Sequence, residues 1–465
     1  MPRAESGRDS GAEPEADAGV DAGVDAEPGN LTRPEPPAQP PPGHEPRALV
    51  IGAGIGGLTA AVALHQHGWQ VTVLERAPAI EAVGAGLGLT PNSLRALDMI
   101  GLGDTVRSMR AWNAEGGLRT PSGRWLSRTS QDAAAERFGG PVVALHRSTL
   151  ISLLHSRLPE GAVRTGAVAE VADPGAADRP ARVRGGEREW EAELVVAADG
   201  VHSAARPALF PHSPAPRYAG FTAWRLVIPA PEVAYVPHET WGRGTLWGTQ
   251  PLHDGRIYAY AAAAVPAGER APDDELAELR RRFGTWHDPL PAILDAAEPG
   301  DVLRNDVYQA AVPLPAFHRG RVALLGDAAH AMNPTLGQGG NQAIEDAVVL
   351  AHHAHPRADV PDALAAYTRD RLPRTSEVVR RAVRVGRFVT MTSAPACALR
   401  DAAMAAVNRL GPHLALRALD GIADWSPPGH GEPAGPSEEP EEGGEFTGGR
   451  GKSASADGPS AARRG

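Results

Sequence analysis

The chain has 465 residues and a formal charge of −10, from 46 basic and 56 acidic side chains. This balance argues against a strongly basic nucleic-acid-binding protein. The acidity lies at the two ends, because residues 1–46 carry 10 acidic and three basic side chains, and residues 427–465 carry seven and four. The 380 residues between them are neutral, and they are enough for a large domain or two.

Both ends are poor in residues that build a hydrophobic core. Residues 1–46 hold 10 prolines and a repeated Asp-Ala-Gly-Val pattern, whereas residues 427–465 hold six prolines and runs of Glu and Gly. Segments of this composition cannot bury enough apolar surface to offset the entropy of ordering. We therefore predict two disordered tails, to which composition assigns no specific function.

The chain has one cysteine and one lysine. Cys397 alone excludes an intrachain disulfide bond and favours a reducing, cytoplasmic setting. The N-terminus has no apolar signal core, and no stretch approaches the ~18 apolar residues of a membrane span. The lysine, Lys452, lies in the C-terminal tail, so residues 47–426 contain no lysine that could act as a catalytic amine. No Cys and His spacing suggests a metal site.

The body opens with a pattern typical of a β-α-β unit. Residues 48–51 form a short apolar run, which predicts a strand buried on both faces. A glycine-rich turn at 52–57 follows, then an Ala- and Leu-rich helix to about His67. A second strand at 70–74 ends at Glu75.

The next elements alternate between helices and strands. Asp199-Gly200 follows the last of these strands directly. In chain order we predict a glycine-rich loop at 84–88, a helix at 91–100, a hairpin at 117–127, a helix at 149–158 and a buried strand at 193–197.

The character of the sequence changes at about residue 215. Aromatic residues, glycines and alternating patterns over 215–264 predict an antiparallel sheet with one solvated or ligand-facing side. A charged amphipathic helix follows at 273–283. The α/β character then returns with a strand at 321–325, a glycine-rich loop and a long helix at 341–353. Two or three further helices fill 360–424.

The first glycine turn carries the chemistry of a dinucleotide site. Gly52 permits the tight turn, Gly54 lets phosphates approach the backbone, and Gly57 lets the helix pack closely on the strand. A helix N-terminus offers free N–H groups and a favourable dipole to a pyrophosphate. Glu75, at the end of the second strand, can accept from ribose hydroxyls and disfavours a 2′-phosphate. The motif therefore indicates FAD or NAD, and the alternative is a tight turn without a ligand.

Two later motifs have the same character. Residues 199–206 follow a buried strand, and residues 326–330 are followed by a glycine-rich loop at 334–341. An Asp at the end of a buried strand can bind ribityl hydroxyls, and backbone N–H groups of the loop can meet a pyrophosphate or a flavin carbonyl. For Asp199 the alternative is a structural ion pair with Arg206.

The three motifs, in this order and spacing, resemble the class A flavoprotein aromatic hydroxylases of the para-hydroxybenzoate hydroxylase family. The segment 222–225 and the loop 337–340 resemble the branch that contains urate hydroxylase, salicylate hydroxylase and zeaxanthin epoxidase. The resemblance covers residues 47–424. It implies an α/β protein in which a Rossmann-like FAD-binding domain carries an inserted antiparallel-sheet substrate domain and C-terminal helices.

The resemblance also implies domain bounds and a reaction. The reaction uses FAD with NAD(P)H as a transient reductant and O₂, forms a C4a-hydroperoxyflavin, and hydroxylates or epoxidises a small aromatic or polycyclic substrate. A monomer or homodimer is expected. The implied segments are an acidic tail at 1–46, FAD-binding parts at 47–216 and 311–356, a substrate sheet at 217–310, C-terminal helices at 357–426 and a tail at 427–465.

The resemblance assigns roles to matching residues. The 199–206 motif, with Asp199, is expected to contact both FAD and NAD(P)H. The remaining cofactor residues are Gly52, Gly54, Gly56 and Gly57 at the pyrophosphate, Glu75 and Arg76 at the adenosine ribose, Gly88 and Arg147 as further FAD contacts, Asp327 at the ribityl chain, and Gly337, Gln338, Gly339, Gly340 and Asn341 beside the isoalloxazine.

Three residues are candidates for the catalytic or substrate site. Arg225 can bind an anionic or carbonyl-bearing ring in a bidentate contact, with an ion pair as the alternative. His330 can be a general base, although the resemblance implies that it packs within the loop that holds the flavin, at 326–341. Pro334 is expected to border the isoalloxazine. Aromatic side chains of the sheet can stack on a substrate or form ordinary core: Trp224, Trp241, Trp247, Tyr258 and Tyr260.

Three other functions are rivals to this interpretation. A flavin-dependent halogenase shares the first motif, but it needs a catalytic lysine, and Leu226 replaces the second Trp of its signature. A flavin oxidoreductase of the same superfamily that acts without inserting oxygen is the main alternative. A non-catalytic dinucleotide-binding protein is the third. Many relatives have Gly where this chain has Leu226, which weakens the transfer of a substrate from the urate or epoxidase branches.

Overall fold

The structure is a computed structural model that describes residues 45–80, 85–111, 115–410 and 416–429. Most of the two predicted tails, residues 1–44 and 430–465, lies outside the described residues, as does Gly84 of the predicted glycine-rich loop.

The strands, in chain order, are β1 (Arg47–Ile51), β2 (Gln70–Leu74), β3 (Gly86–Leu89), β4 (Glu115–Arg119), β5 (Trp125–Ser130), β6 (Val143–His146), β7 (Val163–Arg164), β8 (Glu170–Asp173), β9 (Ala181–Gly185), β10 (Arg188–Ala192), β11 (Leu194–Ala197), β12 (Arg217–Pro229), β13 (His238–Trp241), β14 (Thr245–Pro251), β15 (Arg256–Ala263), β16 (Leu303–Gln309), β17 (His318–Arg319) and β18 (Val322–Leu324).

The helices are α1 (Ile55–Gln66), α2 (Pro91–Asp98), α3 (Gly103–Ser108), α4 (Gln131–Phe138), α5 (Arg147–His155), α6 (Ala205–Leu209), α7 (Glu275–Phe283), α8 (Leu290–Ala296), α9 (Asp327–His330), α10 (Gly339–His353), α11 (Val360–Val389) and α12 (Ala394–Leu410). Short 3₁₀ helices span Pro299–Asp301, Pro334–Leu336 and Arg417–Leu419.

One sheet is mostly parallel and has the order β17-β18-β11-β1-β2-β7. Its central strands are continuous apolar runs because both faces are covered, as parallel sheets require. The helices α1 and α10 pack against each other on the sheet, and nearly every α1 residue from Ile55 to Leu64 is buried. The segments before and after the antiparallel sheet thus share one core. The glycine turn and the residues after β11 and β18 therefore meet at the carboxyl edge of these strands.

The second large sheet has the order β16-β12-β15-β14-β13-β4-β5. The predicted hairpin at 117–127 forms as β4 and β5, but β4 pairs in parallel with β13 and so extends this sheet. One face of the sheet packs against α7 and α8 through Trp224, Trp247 and Phe283. Because side chains alternate along each strand, the residues next to Trp224 and Trp247 in sequence point to the other face of the sheet.

The long helices at the C-terminal end follow the predicted pattern. The helix α11 has 30 residues with Pro373 inside, and α12 follows it. The side chains of Val385, Val389 and Met404 from this pair pack against the antiparallel sheet. No helix within the described residues is both long and apolar enough to cross a membrane. The domain bounds given above stay a prediction.

Candidate active site

A cavity of about 1510 Å³ extends from the carboxyl edge of the parallel sheet to the inner face of the antiparallel sheet. The N-terminal turn of α1, the strand β3 and the loops around α9 and the 334–340 segment line one half. The strands β12 to β15 and the helix α12 line the other half. Large cavities with a few convergent polar groups are the usual binding sites of enzymes.

The glycine turn is built for close approach to the backbone. Gly52 has φ +104°, and a Cβ atom there would lie 2.5 Å from the carbonyl oxygen of Ala198. A Cβ atom at Gly57 would lie 2.0 Å from the carbonyl oxygen of Gly52. Gly54 is the N-cap of α1 without a side-chain cap, and Gly54, Gly56 and Gly57 line the cavity. The N-terminus of α1 thus opens onto the cavity.

Two opposite charges face the cavity without a bonded partner in the described part of the chain. Arg147, the first residue of α5, is exposed to the cavity, and its Nη2 atom lies 3.8 Å from the position of a Cβ atom at Gly54. Removal from bulk water lowers the pKa of Arg147, an effect that Asp327 opposes. Asp327 likewise opens onto the cavity, but it lies deep among protein atoms and away from bulk water, which raises its pKa. Both side chains remain free to bind a ligand.

The side chains of Glu75 and Asp199 support the backbone. Glu75 accepts hydrogen bonds from the amides of Ala53 (2.7 Å) and Ala77 (2.9 Å). Neither Glu75 nor Arg76 lines the cavity. The Oδ2 atom of Asp199 accepts from the amides of residues 204 and 205 at 2.8 and 3.0 Å, whereas its Oδ1 atom is buried without a partner.

The predicted alternative for Asp199 is not formed. Within the described residues Arg206 makes no ion pair with it, and the Arg206 guanidinium instead donates to the carbonyl oxygens of Val201 (2.8 Å) and Ala328 (3.1 Å). Arg206 thus holds the start of α9, and with it Asp327, against the loop after β11.

The predicted loop at 337–341 divides into two groups. Gly337, Gly339 and Gly340 line the cavity, as does Gly88 on β3. The side chains of Gln338 and Asn341 are fully buried and do not line the cavity. They tie the loop to its surroundings: Gln338 donates to Thr90 Oγ1 (3.0 Å), and Asn341 donates to the carbonyl oxygens of Gly88 (3.0 Å) and Gly337 (2.7 Å).

His330 lies away from the cavity, which argues against the general-base reading. It is 4% exposed, and its Nε2 atom lies 2.6 Å from Asp346 Oδ2. Burial alone would raise the pKa of Asp346, but His330 and Arg371 lower it to about 2. Arg371 also bonds Glu345 at 2.5 Å, so these side chains form a buried ionic cluster behind the loop. Pro334 does line the cavity.

The inner face of the antiparallel sheet carries the candidate substrate residues. Arg225 lines the cavity and donates to Asn305 Oδ1 at 3.2 Å. Trp241, Tyr258 and Tyr260 also line it. Trp224 and Trp247 lie on the opposite face against α7, where they form core and cannot stack on a substrate.

Glu239 on β13 is a cavity residue that the sequence reasoning missed. It accepts hydrogen bonds from Tyr260 Oη (2.6 Å) and Trp241 Nε1 (2.9 Å), and burial raises its pKa. The alternation of β13 would have placed Glu239 and Trp241 on one face, but the run His-Glu-Thr-Trp is too short to show which face is buried.

Comparison with known proteins decides the family. The FAD binding domain family matches residues 45–382. The chain belongs to this family. Aurachin C monooxygenase/isomerase of Stigmatella aurantiaca is 36% identical over 359 residues, which cover 77% of this chain and 93% of that protein. The 3-amino-4-hydroxybenzoate 2-monooxygenase of Streptomyces cremeus is 36% identical over 383 residues, covering 78% and 92%.

The fold agrees with a solved member of the same group. HpxO of Klebsiella pneumoniae, complexed with FAD and uric acid, has a TM-score of 0.73 and 29% identity, covering 82% of this chain and 96% of its own. These findings confirm the predicted α/β fold, FAD as the cofactor and the resemblance to aromatic monooxygenases. The protein is an FAD-dependent monooxygenase.

The cavity of this monooxygenase fits FAD on its own evidence. The open N-terminus of α1 and Arg147, which has no bonded partner among residues 45–80, 85–111, 115–410 and 416–429, suit a pyrophosphate. The unpaired carboxylate of Asp327 suits hydroxyl donors, and the cavity-lining glycines of the 337–340 loop admit a flat ring close to the backbone. Such a combination of a bare helix N-terminus, a free cation and a free anion along one cavity matches the charge pattern of the dinucleotide.

Proposed function

We propose that this monooxygenase uses NAD(P)H and O₂ to hydroxylate or epoxidise a small aromatic or polycyclic substrate. The observation that carries the proposal is the continuity of the cavity from the N-terminus of α1 to Arg225. FAD, when bound, supplies the redox and oxygen-transfer chemistry. The protein supplies position, exclusion of water and charge. One oxygen atom of O₂ enters the substrate, and the other leaves as water with two electrons from NAD(P)H.

We assign the cofactor roles from this geometry. Arg147 and the glycines at 54, 56 and 57 would hold the pyrophosphate. Asp327 would accept hydrogen bonds from the ribityl hydroxyls. The glycines of the 337–340 loop would lie along the isoalloxazine, with Gln338 and Asn341 keeping the loop in shape. Asp199 itself does not line the cavity, but its neighbours Ala198 and Gly200 do. Its buried Oδ1 atom has no partner among the described residues, and the proposed contact with the cofactor or reductant rests on the resemblance. Glu75 and Arg76 do not line the cavity, so their proposed role at the adenosine end rests on the resemblance alone. Glu75 also holds the turn in place through the amide of Ala53.

Arg225 is the residue that we place at the substrate. Its side chain is half-buried, donates to Asn305, and lines the cavity from the inner face of the antiparallel sheet. A planar guanidinium binds carbonyl or carboxylate oxygens in a bidentate manner. Relatives act on an aurachin and an aminohydroxybenzoate, and HpxO is complexed with uric acid, so an oxygen-bearing ring is the proposed substrate class.

The test is a panel of aromatic ligands added to the purified holoenzyme. We expect a yellow protein whose NAD(P)H oxidation rises with the right ligand, and a product that is heavier by one oxygen atom. Arg225→Ala should raise KM without loss of bound FAD. Arg256→Ala, on β15 and paired with Asp254 away from the cavity, is the matched control.

The alternative is a flavin oxidoreductase that acts without oxygen insertion. It would consume the reductant or the substrate but leave no added oxygen in the product, so the product mass separates the two. A colourless protein without flavin absorbance would contradict both. A cytoplasmic location and a monomeric or homodimeric state remain proposals that rest on the sequence.

A further inference from the structure

Four residues form one row across the inner face of the antiparallel sheet. Arg225 on β12 is opposite Tyr260 on β15, Tyr260 is opposite Gly248 on β14, and Gly248 is opposite Glu239 on β13. Neighbouring strands are about 4.8 Å apart, so the backbones of Arg225 and Glu239 are roughly 14 Å apart. The row thus places a cation at one end and an anion at the other, both on the sheet face that lines the cavity.

Gly248 makes the contact between Tyr260 and Glu239 possible. A Cβ atom at Gly248 would lie 2.0 Å from Cζ of Tyr260, so the ring lies directly over the glycine. The ring therefore crosses one whole strand and places its hydroxyl 2.6 Å from Glu239 Oε1. The other oxygen, Oε2, accepts from Trp241 Nε1 at 2.9 Å. The carboxylate is oriented at both oxygens, and each oxygen keeps a second acceptor position.

Glu239 has no cationic partner in the described part of the chain, since no arginine or histidine there forms an ion pair with it. A carboxylate taken from water without a counter-charge is destabilised, and burial accordingly raises its pKa. The two neutral donors satisfy only half of its acceptor capacity. Glu239 lines the cavity, so a donor on a ligand bound there can use the remaining capacity.

The adjoining row of the same face is apolar. Ala223, Ala262, Leu246 and Trp241 lie opposite one another there, and Met404 packs onto this cluster from α12. A flat ring can rest on this apolar row with its edge against the polar one. Glu239 can then accept a hydrogen bond from that edge, but it repels an anion there.

We infer that Glu239 is a specificity-determining residue, whose carboxylate accepts a hydrogen bond from an O–H or N–H group on the edge of the aromatic substrate. The enzyme therefore selects rings with such a donor over rings in which that group is methylated. This inference rests on the proposed function, because it concerns the substrate of the same cavity.

Equilibrium binding to the oxidised holoenzyme, without reductant, tests the inference. The probes are 2-naphthol and 2-methoxynaphthalene, which share the ring system and the oxygen atom; a methyl group replaces the O–H hydrogen in the second. We expect the parent enzyme to bind 2-naphthol ~10-fold or more tighter, the usual effect of a hydrogen bond to a charged group. Glu239→Gln should remove most of this preference and leave the affinity for 2-methoxynaphthalene and the FAD content unchanged.

Glu275→Gln is the matched control. Glu275 also accepts from a tryptophan indole, Trp224 Nε1 at 2.7 Å, but on the opposite face of the same sheet. It should keep the preference for 2-naphthol. If the parent enzyme binds both probes equally or binds neither, or if both variants lose the preference alike, the inference is wrong. Discrimination without a hydroxylated product would instead refute the proposed function alone.

A pH series gives a second measurement that a merely structural residue would not change. Tyr258 and Tyr260 on β15 are the titratable groups that interact with Glu239. Two charged groups lie further off: Arg225 on β12 is at the other end of the same row, and Arg400 on α12 lies 5.6 Å from the Trp241 ring. Burial raises the pKa of both tyrosines, so neither titrates in acid. Below its raised pKa Glu239 is protonated and accepts poorly, so affinity for 2-naphthol should fall with falling pH in the parent enzyme. A parent profile as flat as that of Glu239→Gln would overturn the inference.

Discussion

The free charge of Arg147 offers a direct test of where the pyrophosphate lies. Arg147→Met removes the guanidinium but keeps the apolar stem. Within the described residues the side chain has no hydrogen bond that the substitution would break. The substitution should therefore weaken the affinity for FAD and leave the stability of the ligand-free protein unchanged.

The magnitude follows from one charge-assisted contact. A hydrogen bond to a charged group contributes about 1.5–3 kcal/mol, and each 1.4 kcal/mol is a factor of ten. The Kd for FAD should therefore rise about 10- to 100-fold. The stabilisation of the protein by FAD should decrease accordingly, because a ligand stabilises by RT ln(1 + [L]/Kd).

The assay is titration of the deflavinated protein with FAD, followed by flavin fluorescence, together with the Tm of both forms. Arg157→Met is the control: Arg157 follows α5, and its guanidinium donates to the carbonyl oxygen of Gly101 away from the cavity. The control should keep the parent Kd. An unchanged Kd in Arg147→Met would refute the placement of the pyrophosphate at Gly54. A lower Tm of its ligand-free form would show that the Arg147 guanidinium stabilises the protein through a partner other than FAD.

Further predictions concern the ribityl acceptor and the buried ionic cluster. Asp327→Ala should lower FAD retention because it removes an unpaired acceptor; full FAD occupancy after purification would contradict its placement. Arg371→Met should cost about 3–5 kcal/mol in the free energy of unfolding by urea, because it leaves Glu345 and Asp346 buried without that partner; the exposed Arg380→Met should cost less than ~1 kcal/mol. Because the pKa of Asp346 is about 2, its contribution is present above its usual value of 3.8 and is lost as pH falls from there to about 2; no steeper loss than in Asp346→Asn would contradict this.

The parts of the fold that the sequence predicted are those set by local rules. The β-α-β unit follows from an apolar run, a glycine turn and a helix pattern, and α1 begins within that turn as expected. The helix predicted at 273–283 begins at Glu275, after Asp274 caps it by accepting from Ala277 N at 2.8 Å. The helix predicted at 149–158 begins earlier, at Arg147, which places that side chain at the cavity.

The parts that could not be predicted depend on contacts between distant segments. The hairpin β4–β5 is clear from its turn residues, but its parallel pairing with β13 joins segments about 120 residues apart, and no local pattern encodes it. From the sequence His330 could be interpreted as a general base, because no residue close to it in the chain identifies its hydrogen-bond partner. Asp346, its actual partner, is 16 residues away on α10.

Gly248, on the inner face of the antiparallel sheet, is a second feature that depends on contacts between distant segments. In the sequence Gly248 is one glycine among 53, and nothing local marks it. In the structure its missing side chain lets a tyrosine of one strand reach a carboxylate two strands away. The position of the Glu239 carboxylate therefore depends on the register of β13, β14 and β15 together. It follows that Gly248→Ala, which must displace the Tyr260 ring, should lessen the preference for 2-naphthol while the Glu239 side chain itself is intact.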